Sequence, residues 1–218
     1  MNIINSFDKI KQEIKNNKIQ NEIEIIAVSK TFPVEHIMPL VDHGHRHFGE
    51  NKVQEAEKKW SELKKSITNL KIHMIGKLQS NKAKKAVELF DYIHSLDSQK
   101  LADTLNKYQI LLNKKVLYFI QVNLGSESQK SGVMPNEIDD FYNYCTKETN
   151  LNVVGLMAIP PNDGNEKKYF KYLYETNIGL GLKELSMGMS ADYLIAIDYK
   201  STFIRIGSAI FGERTTNK

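Results

Sequence analysis

Eight short apolar runs, separated by stretches with helical periodicity, constrain this chain more than any other feature of its sequence. The runs are "IEIIAVSK" (23–30), "RHFG" (46–49), "LKIHMIG" (70–76), "DYIHSL" (91–96), "KKVLYFIQVN" (114–123), "LNVVGLMAI" (151–159), "KELSMG" (183–188) and "TFIRIG" (202–207). Their β-branched and aromatic content reads as strands, and the thickening of Ile25, Ile26, Ala27 and Val28 reads as a strand buried on both faces. Between them, "ENKVQEAEKKWSELKK" places Val53, Ala56, Trp60 and Leu63 on one helical face. "PNEIDDFYNYCTKE" opens at Pro135, which suits a first helical turn, and "NEKKYFKYLYETNIG" closes at Gly179, a candidate cap. Pro39 inside "PVEHIMPLVDHG" predicts a kinked or shortened helix. A further helix is predicted over roughly 3–17, ahead of the first strand. Eight strands alternating with helices in 218 residues favour an α/β fold, a single (β/α)8 barrel spanning 1–218, over an open doubly wound sheet.

Composition narrows the function classes. A net charge of +4 is too mild to point to nucleic acid. The cluster Lys77, Lys82, Lys84 and Lys85 lacks aromatic stacking partners and reads as a solvated helix face. No apolar run approaches a membrane span, and the N-terminal stretch lacks the apolar core of a signal peptide. Cys145 is the only cysteine, so no internal disulfide is possible, and a cytoplasmic location is expected. Placed on a helix with no basic partner, Cys145 is not expected to be a nucleophile. His43, His45 and His47 recur at a spacing of two, as ligands on a strand would, but Gly44 breaks the run and no carboxylate or cysteine accompanies them. No metal site is expected there. Of the 30 basic residues only Arg46, Arg205 and Arg214 are arginine, which marks three positions where a planar, always-charged fork is of use.

In a (β/α)8 barrel, ligand-binding residues gather where the strands end. Lys30 closes the first strand. An apolar surround there would lower its pKa, and a neutral amine captures aldehydes. Position alone favours a lysine that snorkels to water. The loops after strands seven and eight alter that balance. "LSMGMSAD" offers Ser186, Gly188 and Ser190, with Ser190 placed to cap the next helix, and "RIGSAIFGE" offers Gly207, Ser208 and a short helical turn. Either loop alone could be an ordinary turn; together they match the place where such barrels hold a phosphate. An amine that forms imines, opposite a phosphate cup, suggests pyridoxal phosphate. Arg205 could then lie against the pyridine nitrogen, contact the phosphate, or form a structural ion pair.

"AVSKT", "HGHRHFGENKVQE", "IHMIGKLQSNK", "QVNLGSESQKSGV", "GLMAI", "LSMGMSAD" and "FIRIGSAIFGER" span nearly the whole chain, and with them it resembles the pyridoxal phosphate homeostasis protein family. The resemblance implies a barrel similar to the N-terminal domain of bacterial alanine racemase. It implies a Schiff base between Lys30 and pyridoxal 5'-phosphate, with Ser190, Gly207 and Ser208 holding the phosphate and Arg205 near the ring; Ser186 is a further candidate for cofactor binding. It also implies that Asn51 and His73, at the ends of strands two and three, and Met157, after strand six, face the cofactor. The chain departs from the family pattern at Lys200, where glycine usually precedes Ser-Thr, and at Lys77, where proline or histidine is common. A racemase needs an acid/base group on each face of its substrate, and no segment remains for the second domain that supplies one in alanine racemase. The expected function is therefore a monomeric carrier that buffers or delivers the cofactor to apo-enzymes that depend on it, affects amino-acid metabolism and has no robust catalysis. An amino-acid racemase is the alternative, and a nucleic-acid binder using the Lys77–Lys85 face a third.

Overall fold

The computed structural model describes residues 2–17, 22–125 and 131–213. Eight parallel strands close into a barrel in sequence order, with β8 paired back to β1. They are β1 (Glu24–Val28), β2 (His47–Glu50), β3 (Lys71–Met74), β4 (Tyr92–Leu96), β5 (Leu117–Val122), β6 (Asn152–Ala158), β7 (Glu184–Met189) and β8 (Phe203–Ile206). All eight anticipated runs are strands, and the sheet is closed rather than open. The helices α2 (Val34–Asp42), α3 (Val53–Trp60), α4 (Leu63–Ser66), α5 (Ala83–Leu89), α6 (Gln99–Leu111), α7 (Ile138–Lys147), α8 (Glu166–Gly179), α9 (Tyr193–Asp198) and α10 (Ser208–Phe211) follow the strands, and α1 (Ile3–Asn16) precedes them. Asn2 caps α1 by accepting from the Ile4 and Asn5 N–H groups at 3.0 and 3.2 Å.

Several local expectations need correction. The stretch after β2 is two helices rather than one, divided at Ser61 and Glu62, which both keep helical dihedrals. Helix α2 runs through Pro39 and ends three residues later. Gly179 is the last helical residue of α8, whereas the left-handed position falls on Gly181, at φ +70°. Ser190 does not cap α9; the N-cap is Asp192, whose carboxylate accepts from the Met189 N–H at 2.6 Å. Lys200, the family-divergent position, adopts φ +65°. That conformation is strained for a residue with a Cβ and natural for glycine. Arg214 lies outside the described residues, as does part of "QVNLGSESQKSGV". Arg46 donates to the carbonyls of Val41 and His45 and is a structural brace.

Strand alternation sorts the side chains into two cores. The outward set packs against the helices, with Phe48, Ile72, Tyr118, Leu156, Leu185 and Ile204 fully buried there. Within the barrel, Ile26, Phe119, Met157 and Phe203 form a small apolar cluster. Gly155 on β6 leaves room for the β7 backbone, since a Cβ there would sit 1.9 Å from the Glu184 carbonyl oxygen. Cys145 is buried on α7 and its thiol pKa is pushed up to about 12 by desolvation, which keeps it unreactive. Among the described residues no helix is long and apolar enough to cross a membrane.

Trp60 is fully buried between α3 and Phe48, with ring centroids 4.8 Å apart. Trp60→Ala should therefore cost about 3–5 kcal/mol, read as a lowered urea midpoint. A change below about 1 kcal/mol would show that the α3 face is not part of the cooperative core.

Candidate functional site

All eight strands run the same way, so the residues just beyond their C-terminal ends share one rim. A cavity of about 310 Å³ opens there, lined by Val28, Lys30, Asn51, Ile75, Ile159, Met189, Ser190, Ala191, Arg205, Gly207 and Ser208. Lys30 reaches it by parity. Ile26 packs inside the barrel and Val28 lines the cavity, so Lys30, the next residue in that alternation, also points inward.

The corner that carries Lys30 is held from outside the barrel by a buried ion cluster. Oε1 of Glu50 accepts from Ser29 Oγ at 2.7 Å, Lys59 Nζ at 2.8 Å and Trp60 Nε1 at 2.9 Å. Lys59 also donates to the Ser29 carbonyl at 2.8 Å and to Glu55 at 3.3 Å. Glu55 accepts in turn from the Thr31 N–H, and Thr31 sits at φ +70°. Side chain and carbonyl of Ser29 are thus both fixed, and the chain turns sharply straight after Lys30. The sequence carries a signal for this cluster. Lys59 falls on the apolar stripe of α3 beside Ala56 and Trp60, where a lysine needs a buried partner.

The two loops opposite Lys30 are tied together, because Ser190 Oγ accepts from the Ala209 N–H at 3.4 Å. Gly207 precedes α10, whose first N–H groups have no intrahelical acceptors. Gly188, at φ +92°, lets the chain turn over α9; a Cβ there would meet Ala196 Cβ at 2.6 Å. Arg205 is buried at the base of the cavity and donates to Ser186 Oγ at 2.7 Å and to the Ala158 carbonyl at 2.9 Å. Burial lowers its pKa to about 10, partly offset by Asp192, so it remains a cation at neutral pH.

Lys30, Asn51, Ser190, Arg205, Gly207 and Ser208 therefore share the cavity. Ser186, His73 and Met157 lie a layer deeper and do not line it. Met157 is within β6, not after it, and packs on Ile26, Phe119 and Phe203. His73 is inside β3; the mouth position after that strand is taken by Ile75. Its Nδ1 lies 2.9 Å from His94 Nε2, and His94 Nδ1 lies 2.9 Å from Ser186 Oγ. His94 was not anticipated, although its alternation with Tyr92 in "YIHSL" would have aimed it inward. The other histidines disperse: His43 pairs with Asp8 at 3.0 Å, His45 bonds the His47 carbonyl, and His47 enters the barrel. Among the described residues no three metal-capable side chains converge.

A second chamber of about 320 Å³ adjoins the first, sharing Asn51, Ile75 and Ile159 and extending to Gly76, Lys77, Gln121, Asn123 and Ser131. A larger cleft of about 430 Å³ lies at the other end of the barrel, between α1 and the start of β1. It has no nucleophile at a strand's C-terminal end, so the mouth is the better candidate.

Comparison with known proteins identifies the family of the chain. Residues 6–215 match the family described as "Alanine racemase, N-terminal domain", which places the chain in the class of alanine racemase-like barrels. A protein of Aquifex aeolicus named "Pyridoxal phosphate homeostasis protein" is 38% identical over 204 residues, covering 89% of each chain. Proteins of the same name from Pasteurella multocida, 37% identical over the full length of both chains, and Escherichia coli K12, 37% identical over 206 residues, covering 90% of this chain and 88% of that one, also match. The chain belongs to the pyridoxal phosphate homeostasis protein family. PipY of Synechococcus elongatus, solved "with PLP bound", superposes with a TM-score of 0.86 at 34% identity, covering 96% of this chain and all of that one. An alanine racemase of Clostridium difficile superposes with a TM-score of 0.73 at 17% identity over 99% of this chain and 58% of that one, and shares the fold alone.

Two outcomes follow from the buried charges. Lys59→Ala leaves the Glu50 carboxylate buried without its cation and should cost about 3–5 kcal/mol; joint replacement as Glu50→Gln/Lys59→Met should cost less. Denaturant unfolding of both variants checks the order. Burial also holds His73 and His94 well below the ordinary 6.5. Below that value the unfolded chain binds protons that the folded chain refuses, so stability is intact above pH 6.5 and falls as pH drops. Both histidines should contribute to this loss from pH 6.5 down to their lowered folded-state values, seen as a urea midpoint that falls on acidification.

Proposed function

We propose that this chain binds pyridoxal 5'-phosphate in the mouth cavity as a Schiff base on Lys30, and that it serves cofactor homeostasis by holding the cofactor and delivering it to apo-enzymes. One observation carries the reading: β1 aims a lysine into the same cavity of about 310 Å³ that holds Arg205 and the two loops with Ser190, Gly207 and Ser208. The donor set fits the group. Its described charged members are two cations and no carboxylate, as a phosphate ester requires. Ser190, Ser208 and the backbone around Gly207 would hold the phosphate, Asn51 the ring edge, and Arg205 the pyridine nitrogen side. The names of the relatives and the cofactor in PipY support the same assignment.

When bound, the cofactor supplies an aldehyde for amines and an electron sink. Arg205 acts against the sink, because a guanidinium beside the ring nitrogen disfavours its protonation. Among the described residues neither chamber contains a tyrosine or a carboxylate, and the one further titratable group is Lys77. A racemase would need a second proton-handling group on the opposite face, so the site suits holding the cofactor more than turning over an amino acid. Lys85, from the basic cluster, is spent on Glu57 at 2.7 Å. That contact supports the solvated-face reading against a nucleic-acid surface.

Adding pyridoxal phosphate should produce a visible absorption band that borohydride fixes on Lys30, located by peptide mass mapping and absent in Lys30→Ala. Pyridoxal, which lacks the phosphate, should bind at least about tenfold more weakly. Label scattered over surface lysines would remove the assignment. Transfer to apo-enzymes decides the carrier role, and exchange of an amino acid's α-hydrogen with deuterated solvent at catalytic rates would favour the racemase instead.

A further inference from the structure

A continuous row of polar side chains crosses the barrel beneath the cavity. From Arg205 it passes to Ser186 Oγ at 2.7 Å, His94 Nδ1 at 2.9 Å, from His94 Nε2 to His73 Nδ1 at 2.9 Å, and from His73 Nε2 to His47 Nδ1 at 3.0 Å. His47 Nε2 then faces the half-exposed carboxylate of Glu24 at 3.4 Å, at the opposite end of the barrel. The rings are held flat by packing. His73 stacks on Tyr92 at 4.3 Å and His94 on Phe119 at 4.2 Å.

The two ends decide the direction of every bond between them. Arg205 can only donate, so Ser186 Oγ accepts and must place its own hydrogen elsewhere. His94 Nδ1 is its other neighbour among the described residues, and accepting there leaves the His94 hydrogen on Nε2. The same requirement passes to His73 and then to His47, whose Nε2 lies at ion-pair distance from a carboxylate that can only accept. The reverse order would point a His47 lone pair at Glu24 and strand the Ser186 hydrogen without an acceptor. With Ser186 donating to His94, a doubly protonated imidazole anywhere in the row would set two donors face to face.

We propose that Ser186, His94, His73 and His47 form one directional hydrogen-bond chain, each imidazole neutral with its hydrogen on Nε2, that runs from Arg205 to His47, ends beside Glu24 and positions the Arg205 guanidinium for the cofactor site. The four are positioning residues acting through Arg205. The chain joins a cation at the mouth to an anion at the floor, so a change of charge at Glu24 is felt at Arg205. Other charged or titratable groups also face it: Lys71, Asp91 and His45 beside His47, Lys64 and Tyr92 beside His73, and Glu184 beside Tyr92. The consequence for the cofactor rests on the reading given under Proposed function; the chain itself does not.

The test uses the full protein with 15N-labelled histidine, before any pyridoxal phosphate is added. Long-range 1H–15N correlation should show His47, His73 and His94 neutral and protonated on Nε2 at neutral pH. A hydrogen on Nδ1 of His73 or His94, or exchange between tautomers, overturns the proposal. Pyridoxal phosphate is then added to the parent, to Glu24→Gln and to Glu184→Gln, which removes a floor charge outside the chain. Glu24→Gln should move the pH midpoint of the visible band by about 0.3 units or more, and Glu184→Gln should move it less. Superposable profiles for Glu24→Gln and the parent would leave the histidines a structural role only and reject the positioning. If the parent forms no band, the cofactor reading fails, while the tautomer measurement still decides the chain.

Discussion

Closure of the sheet through the β8–β1 pairing is the constraint on which the rest depends. Glu24, Ile25, Ile26 and Ala27 pair with Phe203, Ile204, Arg205 and Ile206 in register. That pairing sets Ile26 level with Arg205, and so brings Lys30 and the loop after β8 to one cavity. An open sheet would leave β1 and β8 far apart and the lysine away from the serines. Closure also divides every strand into an inward and an outward set. A slip of one residue would turn Lys30 to the helices and bring Ser29 into the mouth. The Glu50–Lys59 cluster guards against that slip, because it grips both the side chain and the carbonyl of Ser29.

A barrel of this size is filled by side chains, and most interiors of this kind are branched and apolar. This one carries an apolar cluster of Ile26, Phe119, Met157 and Phe203 and, beside it, the row of histidines ending on Arg205. Buried polar groups are tolerable when every hydrogen finds an acceptor, and damaging when one does not. The row meets that condition because one donor-only and one acceptor-only group terminate it.

The fold was legible because its signal is repeated. Eight runs with the right spacing leave little freedom, and the errors fell at helix ends, where the governing feature is one residue's φ. Gly181 and Asp192 took roles expected of Gly179 and Ser190. The candidate residues that line the cavity are those just past a strand, Lys30, Asn51, Ser190, Gly207 and Ser208, a position that the run boundaries show. Depth along the barrel axis was not legible. His73, Met157 and Ser186 face inward as expected but lie below the cavity, and depth depends on stagger between strands. Shifts of register occur in the β4–β5, β5–β6 and β7–β8 pairs. The partners of Glu50 and Lys59 depend on α3 crossing β2 at one angle, which no local pattern encodes.

If the cofactor sits as proposed, Arg205 on the ring-nitrogen side would join the fold to the restraint expected of the site. A carboxylate there would hold a proton on the ring and strengthen the electron sink; a guanidinium does the reverse. Desolvation lowers the pKa of Arg205 only to about 10, so the group stays a donor under ordinary conditions. Its two recorded acceptors, Ser186 Oγ and the Ala158 carbonyl, belong to β7 and β6, so three adjacent strands fix one guanidinium. Three strands therefore fix the guanidinium that, on the proposed reading, would weaken the cofactor as an electron sink. A lysine at Arg205 would keep the charge but lose the planar fork that reaches both acceptors at once. The geometry, more than the charge, is what the barrel interior is arranged to keep.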